Sequence, residues 1–207
     1  MAKPRRSSGS WKERQEKDPY VQMARREGWR SRAVYKLEQI DRKEPLFRPG
    51  MLCVDLGAAP GGWSQYASKK LGGNARIIAV DPLPMDTLPS VEFIQGDFTT
   101  DETLAALRAS IGGKPVDLVM SDMAPNISGN RAVDQPRSMY LAELALAFCR
   151  EFLKPGGDFV CKVFQGEGID ELIGAARGAF KRVRVMKPKA SRPGSREVYL
   201  VARNYRL

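Results

Sequence analysis

Two hydrophobic rhythms alternate along this 207-residue chain. Short, nearly uninterrupted apolar runs occur at Met51–Leu56, Ala75–Val80, Val91–Ile94, Val116–Met120 and Asp158–Phe164. Runs of that length fit strands buried on both faces of a parallel sheet. Between them, apolar residues recur at helical spacing over Trp63–Leu71, Thr99–Ser110, Arg137–Leu153 and Ile169–Phe180. Two further strands, Val183–Met186 and Glu197–Val201, complete the pattern. Ahead of the first strand, Ala33, Val34, Leu37 and Ile40 share one face of a helix that Ser31 can cap, and Pro45 and Pro49-Gly50 end that segment. Such alternation predicts an α/β fold built on a doubly wound sheet. No internal repeat or inner linker interrupts it. The expected organisation is one domain over 1–207, with a basic tail at 1–20, a helical extension at 21–50 and the α/β core at 51–207. Pro82, Pro84 and Pro89 make one crossover irregular, Asn126 to Gln135 reads as a loop, and Pro155-Gly156-Gly157 stops the long helix.

The turn after the first strand, Gly57-Ala58-Ala59-Pro60-Gly61-Gly62, carries the most chemistry. Its glycines allow a sharp reversal and a close approach to a ligand. A dinucleotide site would need Gly-x-Gly-x-x-Gly. Here the second glycine is missing and Pro60 has no N–H, so the turn suits a ligand without a diphosphate. Helix–strand packing is the plainer reason for the same glycines.

Asp55, Asp81, Asp97 and Asp122 fall at the carboxyl ends of successive strands. Each alone could be a cap or a solvated charge. As one rim they suit a ligand with a cationic centre, a ribose and an adenine: Asp81 is placed for ribose hydroxyls and Asp97 for an adenine amino group. S-adenosylmethionine answers that description better than a dinucleotide, whose phosphates this rim would repel. Lys162 interrupts the apolar run Phe159 to Phe164. An unpaired ammonium inside a sheet is costly, so the position requires a partner or a neutral amine able to act as a base, unless the side chain snorkels to water.

Composition narrows the chemistry. There is no histidine, which excludes a Ser-His-Asp triad and His-ligated zinc. Cys53, Cys149 and Cys161 lie in apolar elements without metal-ligand spacing, so no metal site is expected; reduced core thiols point to the cytoplasm. No apolar run is long enough to span a membrane. The net charge of +10 is divided: residues 1–50 carry 14 Lys/Arg against 7 Asp/Glu, residues 180–207 carry 9 against 1, and the middle carries 11 against 16. Basic ends around an acidic middle suggest a polyanion held outside and a neutral or cationic ligand within. The expected RNA-binding residues are Lys3, Arg5, Arg6, Arg25, Arg26, Arg30 and Arg32, with Lys181, Arg182, Arg184, Lys187, Lys189 and Arg192 opposite.

Four motifs in order resemble the FtsJ ribose 2′-O-methyltransferases: Asp55 to Gln65, Ser121-Asp122-Met123-Ala124-Pro125-Asn126, Lys162-Val163-Phe164-Gln165-Gly166 and Ser195-Arg196-Glu197-Val198-Tyr199. The resemblance spans about residues 20–203, and the match to the bacterial ribosomal RNA enzymes is close. It implies a Rossmann-like S-adenosylmethionine-dependent methyltransferase fold, with a mostly parallel seven-stranded sheet and helices on both faces. It also implies a catalytic Lys-Asp-Lys-Glu tetrad at Lys36, Asp122, Lys162 and Glu197, with cofactor binding at Gly61, Trp63, Asp81, Asp97 and Asp122. The implied reaction is 2′-O-methylation of a uridine in large-subunit (23S-type) ribosomal RNA, by a monomer acting on the subunit or its precursor. A transfer RNA acceptor and a non-catalytic ribosome-assembly factor on the same fold are the alternatives.

Overall fold

The computed structural model describes residues 16–206. Among them the strands are β1 (Leu52–Leu56), β2 (Arg76–Asp81), β3 (Val91–Gln95), β4 (Val116–Ser121), β5 (Leu153–Phe164), β6 (Phe180–Met186) and β7 (Glu197–Tyr205). They form one seven-stranded sheet in the order β3-β2-β1-β4-β5-β7-β6. The pairs from β3 through β5 are parallel; β7 runs antiparallel to both β5 and β6. The chain switches sides between β1 and β4, which opens a crevice at the carboxyl ends of those strands.

The longer α-helices among the described residues are α1 (Pro19–Glu27), α2 (Val34–Lys43), α3 (Gly62–Leu71), α4 (Asp101–Ile111), α5 (Arg131–Phe152) and α6 (Ile169–Ala179). Alternation along the strands divides the apolar residues between two cores. Leu52, Val54 and Leu56 of β1 face α4, α5 and α6, where they join Leu107, Leu146 and Leu172. Cys53 faces the other way and joins Leu37, Ile40 and Tyr66 of α2 and α3. Helices thus cover both faces, which is why β1 can be apolar at nearly every position. Ala24, Val34, Leu37, Ile40 and Leu46, ahead of β1, belong to this second core.

Helix α1 was not marked by hydrophobic periodicity. Its signals are local: Asp18 Oδ1 accepts from Tyr20 N (3.0 Å), Pro19 opens the first turn, and Gly28 closes the helix with φ 72°. Helix α2 begins at Val34, later than a Ser31 cap implies. Ser31 Oγ instead accepts from Ala33 N (3.2 Å) in the preceding turn, and Ala33 takes the N-cap position without a side-chain bond.

Two boundaries move further. The loop expected to reach Gln135 ends at Asn130, and α5 starts at Arg131, six residues before the expected Arg137. Asn130 Oδ1 accepts from Ala132 N (3.1 Å), and Asp134 turns back to accept from Ser128 N (2.8 Å) and Gly129 N (3.0 Å). These bonds stabilise the first turns although Pro136 cannot donate to the carbonyl four residues earlier. β5 starts at Leu153 rather than Asp158, because Pro155-Gly156-Gly157 bulges within the strand: Leu153 pairs with Val116 and Asp158 with Leu118.

Candidate active site

At the switch point the strand ends are laced together by main-chain bonds. Gly57 N and Ala58 N donate to Val80 O (2.9 and 3.1 Å), Gly96 N to Asp81 O (3.0 Å), and Asp122 N to Leu56 O (3.2 Å). Gly57 has φ +77°, and a Cβ there would lie 2.7 Å from Met123 Cγ and 2.9 Å from Met123 Cα. The absence of a side chain lets the first and fourth strands' loops touch. Beside this contact opens a cavity of about 700 Å³, lined among others by Gly57, Ala59, Asp81, Leu83, Asp97, Phe98, Asp122, Arg137 and Tyr140. That size is ordinary for a small-molecule site.

Three of the five cofactor-binding candidates, Asp81, Asp97 and Asp122, line this cavity; Gly61 and Trp63 do not. The Asp81 carboxylate accepts from Ala59 N (3.0 Å) and Leu83 N (2.8 Å), which shapes the cavity wall on both sides. Asp97 is exposed, and its Oδ1 accepts from Thr99 N (2.9 Å) and Thr99 Oγ1 (2.8 Å). Gly61 stands at the N-cap of α3 with φ 104°. Trp63 is buried behind the turn, donates from Nε1 to Ala33 O (2.9 Å) and rests on Tyr199 with ring centroids 5.7 Å apart.

The four tetrad candidates form two ion pairs. Lys36 Nζ lies 2.8 Å from Glu197 Oε1 and 2.9 Å from Oε2. Lys162 Nζ donates to Asp122 O (2.6 Å) and lies 3.3 Å from Asp122 Oδ1. The Lys162 side chain is only 9% exposed, so it does not snorkel to water; Asp122 is its partner. The sheet explains the grouping. β5 and β7 pair Lys162 with Tyr199 and Phe164 with Glu197, so Lys162, Tyr199 and Glu197 share the face against which α2 packs with Lys36. Asp122, directly after β4, belongs to both the Lys162 pair and the cavity lining.

Tyr199 is the residue that motif reading left without a role. Its hydroxyl donates to Asp122 Oδ1 (2.8 Å), and Lys36 Nζ lies 5.9 Å from its ring centre. Burial first, then the charges of Asp122 and Glu197, push the phenol well above its ordinary pKa, so it remains a donor. It therefore joins the two ion pairs. The signal was its spacing: two residues beyond Glu197 on a strand, it had to share that residue's face. Ser191 is a second supporting residue, donating from Oγ to Glu197 Oε1 (2.8 Å).

Asp55 does not reach the cavity lining. It is fully buried, with Ser64 Oγ donating to Oδ2 (2.6 Å) and Oδ1 without a partner. Burial raises its pKa to about 7, with Asp122 and Asp81 adding to the rise and Ser64 opposing it. The folded state then holds a proton that the unfolded chain releases near pH 4. The resulting penalty is absent below that pH, grows as pH rises toward 7 and is complete above it. Asp55→Asn should therefore gain on the parent chain by roughly 3 kcal/mol as pH rises from 5 to 8. Urea unfolding at both pH values checks this; a difference independent of pH would remove the buried proton from the account.

The basic residues divide. Lys3, Arg5 and Arg6 lie outside the described residues. Arg25 and Arg26 are exposed on α1. Others bind within the protein. Arg32 lies 3.0 Å from Asp18 and donates to Ala190 O, and Arg192 lies 3.7 Å from Asp18. Arg182 and Arg184 both pair with buried Glu44 at the end of α2. These side chains fasten the N-terminal segment to the C-terminal hairpin, a use that net charge alone cannot reveal.

The profile of the FtsJ-like methyltransferases matches residues 29–205. The chain is 54% identical over 202 residues to Ribosomal RNA large subunit methyltransferase E of Legionella pneumophila, covering 98% of each. It is 56% identical over 201 residues to the protein of the same name in Pseudomonas aeruginosa, covering 97% of each. A crystal structure of a Plasmodium falciparum protein assigned as a ribosomal RNA methyltransferase superposes with a TM-score of 0.75 at 31% identity, over 86% of this chain and 98% of that one. A turn, a crevice and a sheet order that suit a methyl donor thus coincide with a family match over most of the sequence, and this chain belongs to the FtsJ-like methyltransferase family.

Proposed function

We propose that this chain transfers a methyl group from S-adenosylmethionine to the ribose 2′-hydroxyl of a uridine in large-subunit ribosomal RNA. It would act in the cytoplasm as a single-domain monomer, on the subunit or its precursor. The observation that carries this reading is the meeting of Lys36–Glu197 and Lys162–Asp122 around Tyr199, beside a cavity that shares Asp122. The relatives' names supply the acceptor class. No helix among the described residues is long and apolar enough to cross a membrane.

The residues present fit the donor. Asp81 and Asp97 offer carboxylate oxygens to hydroxyl and amino groups, Asp122 offers negative charge near a cationic centre, and Leu83 and Phe98 supply apolar wall. Gly61 and Trp63 would support the turn from behind. When bound, S-adenosylmethionine supplies an electrophilic sulfonium methyl. The chain's own task is then to bring the acceptor hydroxyl into line and manage its proton. Lys162 orients that hydroxyl as the ammonium or accepts its proton as the neutral amine, held in place by the Asp122 carbonyl and carboxylate. Glu197 fixes Lys36, and Tyr199 fixes Asp122 against the same cluster. Orientation of this kind can supply ~7–11 kcal/mol of a barrier, and general-base help ~10²–10⁴-fold. An acceptor ribose must be exposed to enter such a site, which selects a loop or an unstacked nucleotide.

Methyl-labelled S-adenosylmethionine, offered with isolated large subunits, free ribosomal RNA and transfer RNA, tests the proposal. Label in a 2′-O-methyluridine of the large-subunit RNA is the expected result. Label confined to transfer RNA, or in none of the three, would overturn it.

A further inference from the structure

The crossover between β2 and β3 has three prolines and no regular secondary structure, yet Pro82 and Leu83 line the donor cavity. Something outside it must hold it in place. Ser68 Oγ donates to Pro89 O (2.8 Å) at its far end. Its middle is held by Arg30: Nη1 donates to Asp86 O (2.7 Å) and Nη2 to Thr87 O (2.8 Å). The same Nη1 reaches Pro60 O in the glycine turn (3.4 Å). One guanidinium therefore bridges the two segments flanking the donor's expected place.

Arg30 is itself seated on α3. Its N–H donates to Gln65 Oε1 (2.9 Å), and Gln65 Nε2 donates to Gly28 O (2.9 Å). The double glycine makes the approach possible. A Cβ at Gly61 would lie 3.0 Å from Arg30 Nη1 and 2.9 Å from Met85 Sδ; one at Gly62 would lie 2.5 Å from Ser31 Oγ. These glycines thus admit residues 30 and 31 to the turn, in addition to shaping it.

We infer that Arg30 is a positioning residue for the methyl-donor site, stapling the crossover to the glycine turn rather than contacting RNA phosphate. This rests on reading the cavity as the S-adenosylmethionine site. A planar guanidinium offers two separate nitrogens, so Nη2 holds Thr87 O while Nη1 reaches Asp86 O and Pro60 O; an ammonium offers its donors from one point and cannot hold all three in this spacing. Loss of the staple should loosen the wall around Leu83, which then keeps the bonds of Leu83 N to Asp81 Oδ1 (2.8 Å) and of Gln95 Nε2 to Pro82 O (3.3 Å), while the ion pairs of the tetrad, which do not involve Arg30, stay in place.

The test uses the full chain with Arg30→Ala and Arg30→Lys. It measures S-adenosylhomocysteine affinity by calorimetry and separates the two KM values from kcat. Charge-assisted hydrogen bonds of this kind predict a donor KM and a product dissociation constant raised about tenfold or more in both variants. The kcat at saturating donor and the KM for RNA should stay near those of the parent. Donor affinity matching the parent in both variants would overturn the assignment. So would an RNA KM raised alone by alanine and restored by lysine, the pattern of a phosphate contact. If melting shows Arg30→Ala to be unfolded, Arg30→Lys, which keeps the charge, decides between these outcomes. Failure of the parent chain to bind S-adenosylhomocysteine would instead remove the donor reading itself, together with the role of Arg30.

Discussion

Lys162→Ala is expected to abolish turnover while donor affinity stays close to that of the parent chain. The lysine is 9% exposed and bonded to Asp122 through both carbonyl and carboxylate. Its removal takes away the group that orients the acceptor or receives its proton. The base contribution alone is about 10²–10⁴-fold, and lost orientation adds to it. Asp122 keeps the hydroxyl of Tyr199 at 2.8 Å and the main-chain bond from its own N–H to Leu56 O at 3.2 Å. The cavity wall should therefore survive the substitution. Single-turnover methylation together with calorimetry of S-adenosylhomocysteine separates the two effects. Near-parental methylation by this variant would take Lys162 out of the reaction.

Gly57→Ala should lose donor binding and turnover together, the opposite signature. At φ +77° any Cβ is strained, by roughly 1–2 kcal/mol. It also meets Met123 Cα at 2.9 Å and Met123 N at 3.0 Å, so main chain must move, not merely a side chain. Met123 follows Asp122, the residue common to the cavity and the Lys162 pair. A displacement near 1 Å at such a point can cost about 10²-fold in rate. Donor affinity, turnover and melting temperature measured on the same preparation check it. Parental donor affinity and rate would show that the turn accommodates a side chain, leaving the glycine a role in chain reversal only.

These two substitutions also mark how differently the site's parts were legible. The glycine turn and the acidic rim are local patterns: Asp81, Asp97 and Asp122 stand at the strand ends where alternation of strand and helix puts them, whereas Asp55 lies buried within β1. Lys162 was conspicuous because a charge inside an apolar run demands a reason. Lys36 was not: it stands outside the apolar stripe of Ala33, Val34, Leu37 and Ile40, and family resemblance rather than periodicity singles it out. Tyr199 lay within a recognised motif, yet its task depends on Asp122, which is 77 residues away in sequence. Arg30 and Arg32 read as phosphate contacts because charge counts do not show where a side chain points.

The succession of strands and helices and the carboxylates that follow β2, β3 and β4 come from short apolar runs and from a helical period of three to four, properties that neighbours along the chain determine by themselves. The limits of α5 and β5 do not. Pro136 lies within a helix because Asn130 and Asp134 satisfy its first turns, and Pro155-Gly156-Gly157 lies within a strand because β4 pairs on either side of the bulge. The cluster of Lys36, Asp122, Lys162, Tyr199 and Glu197 arises only when antiparallel β7 sets its register against β5 and α2 packs on that face. Register and helix docking are set by burial summed over the whole sheet. No short stretch of sequence contains that sum, so tertiary structure alone decides which charges meet.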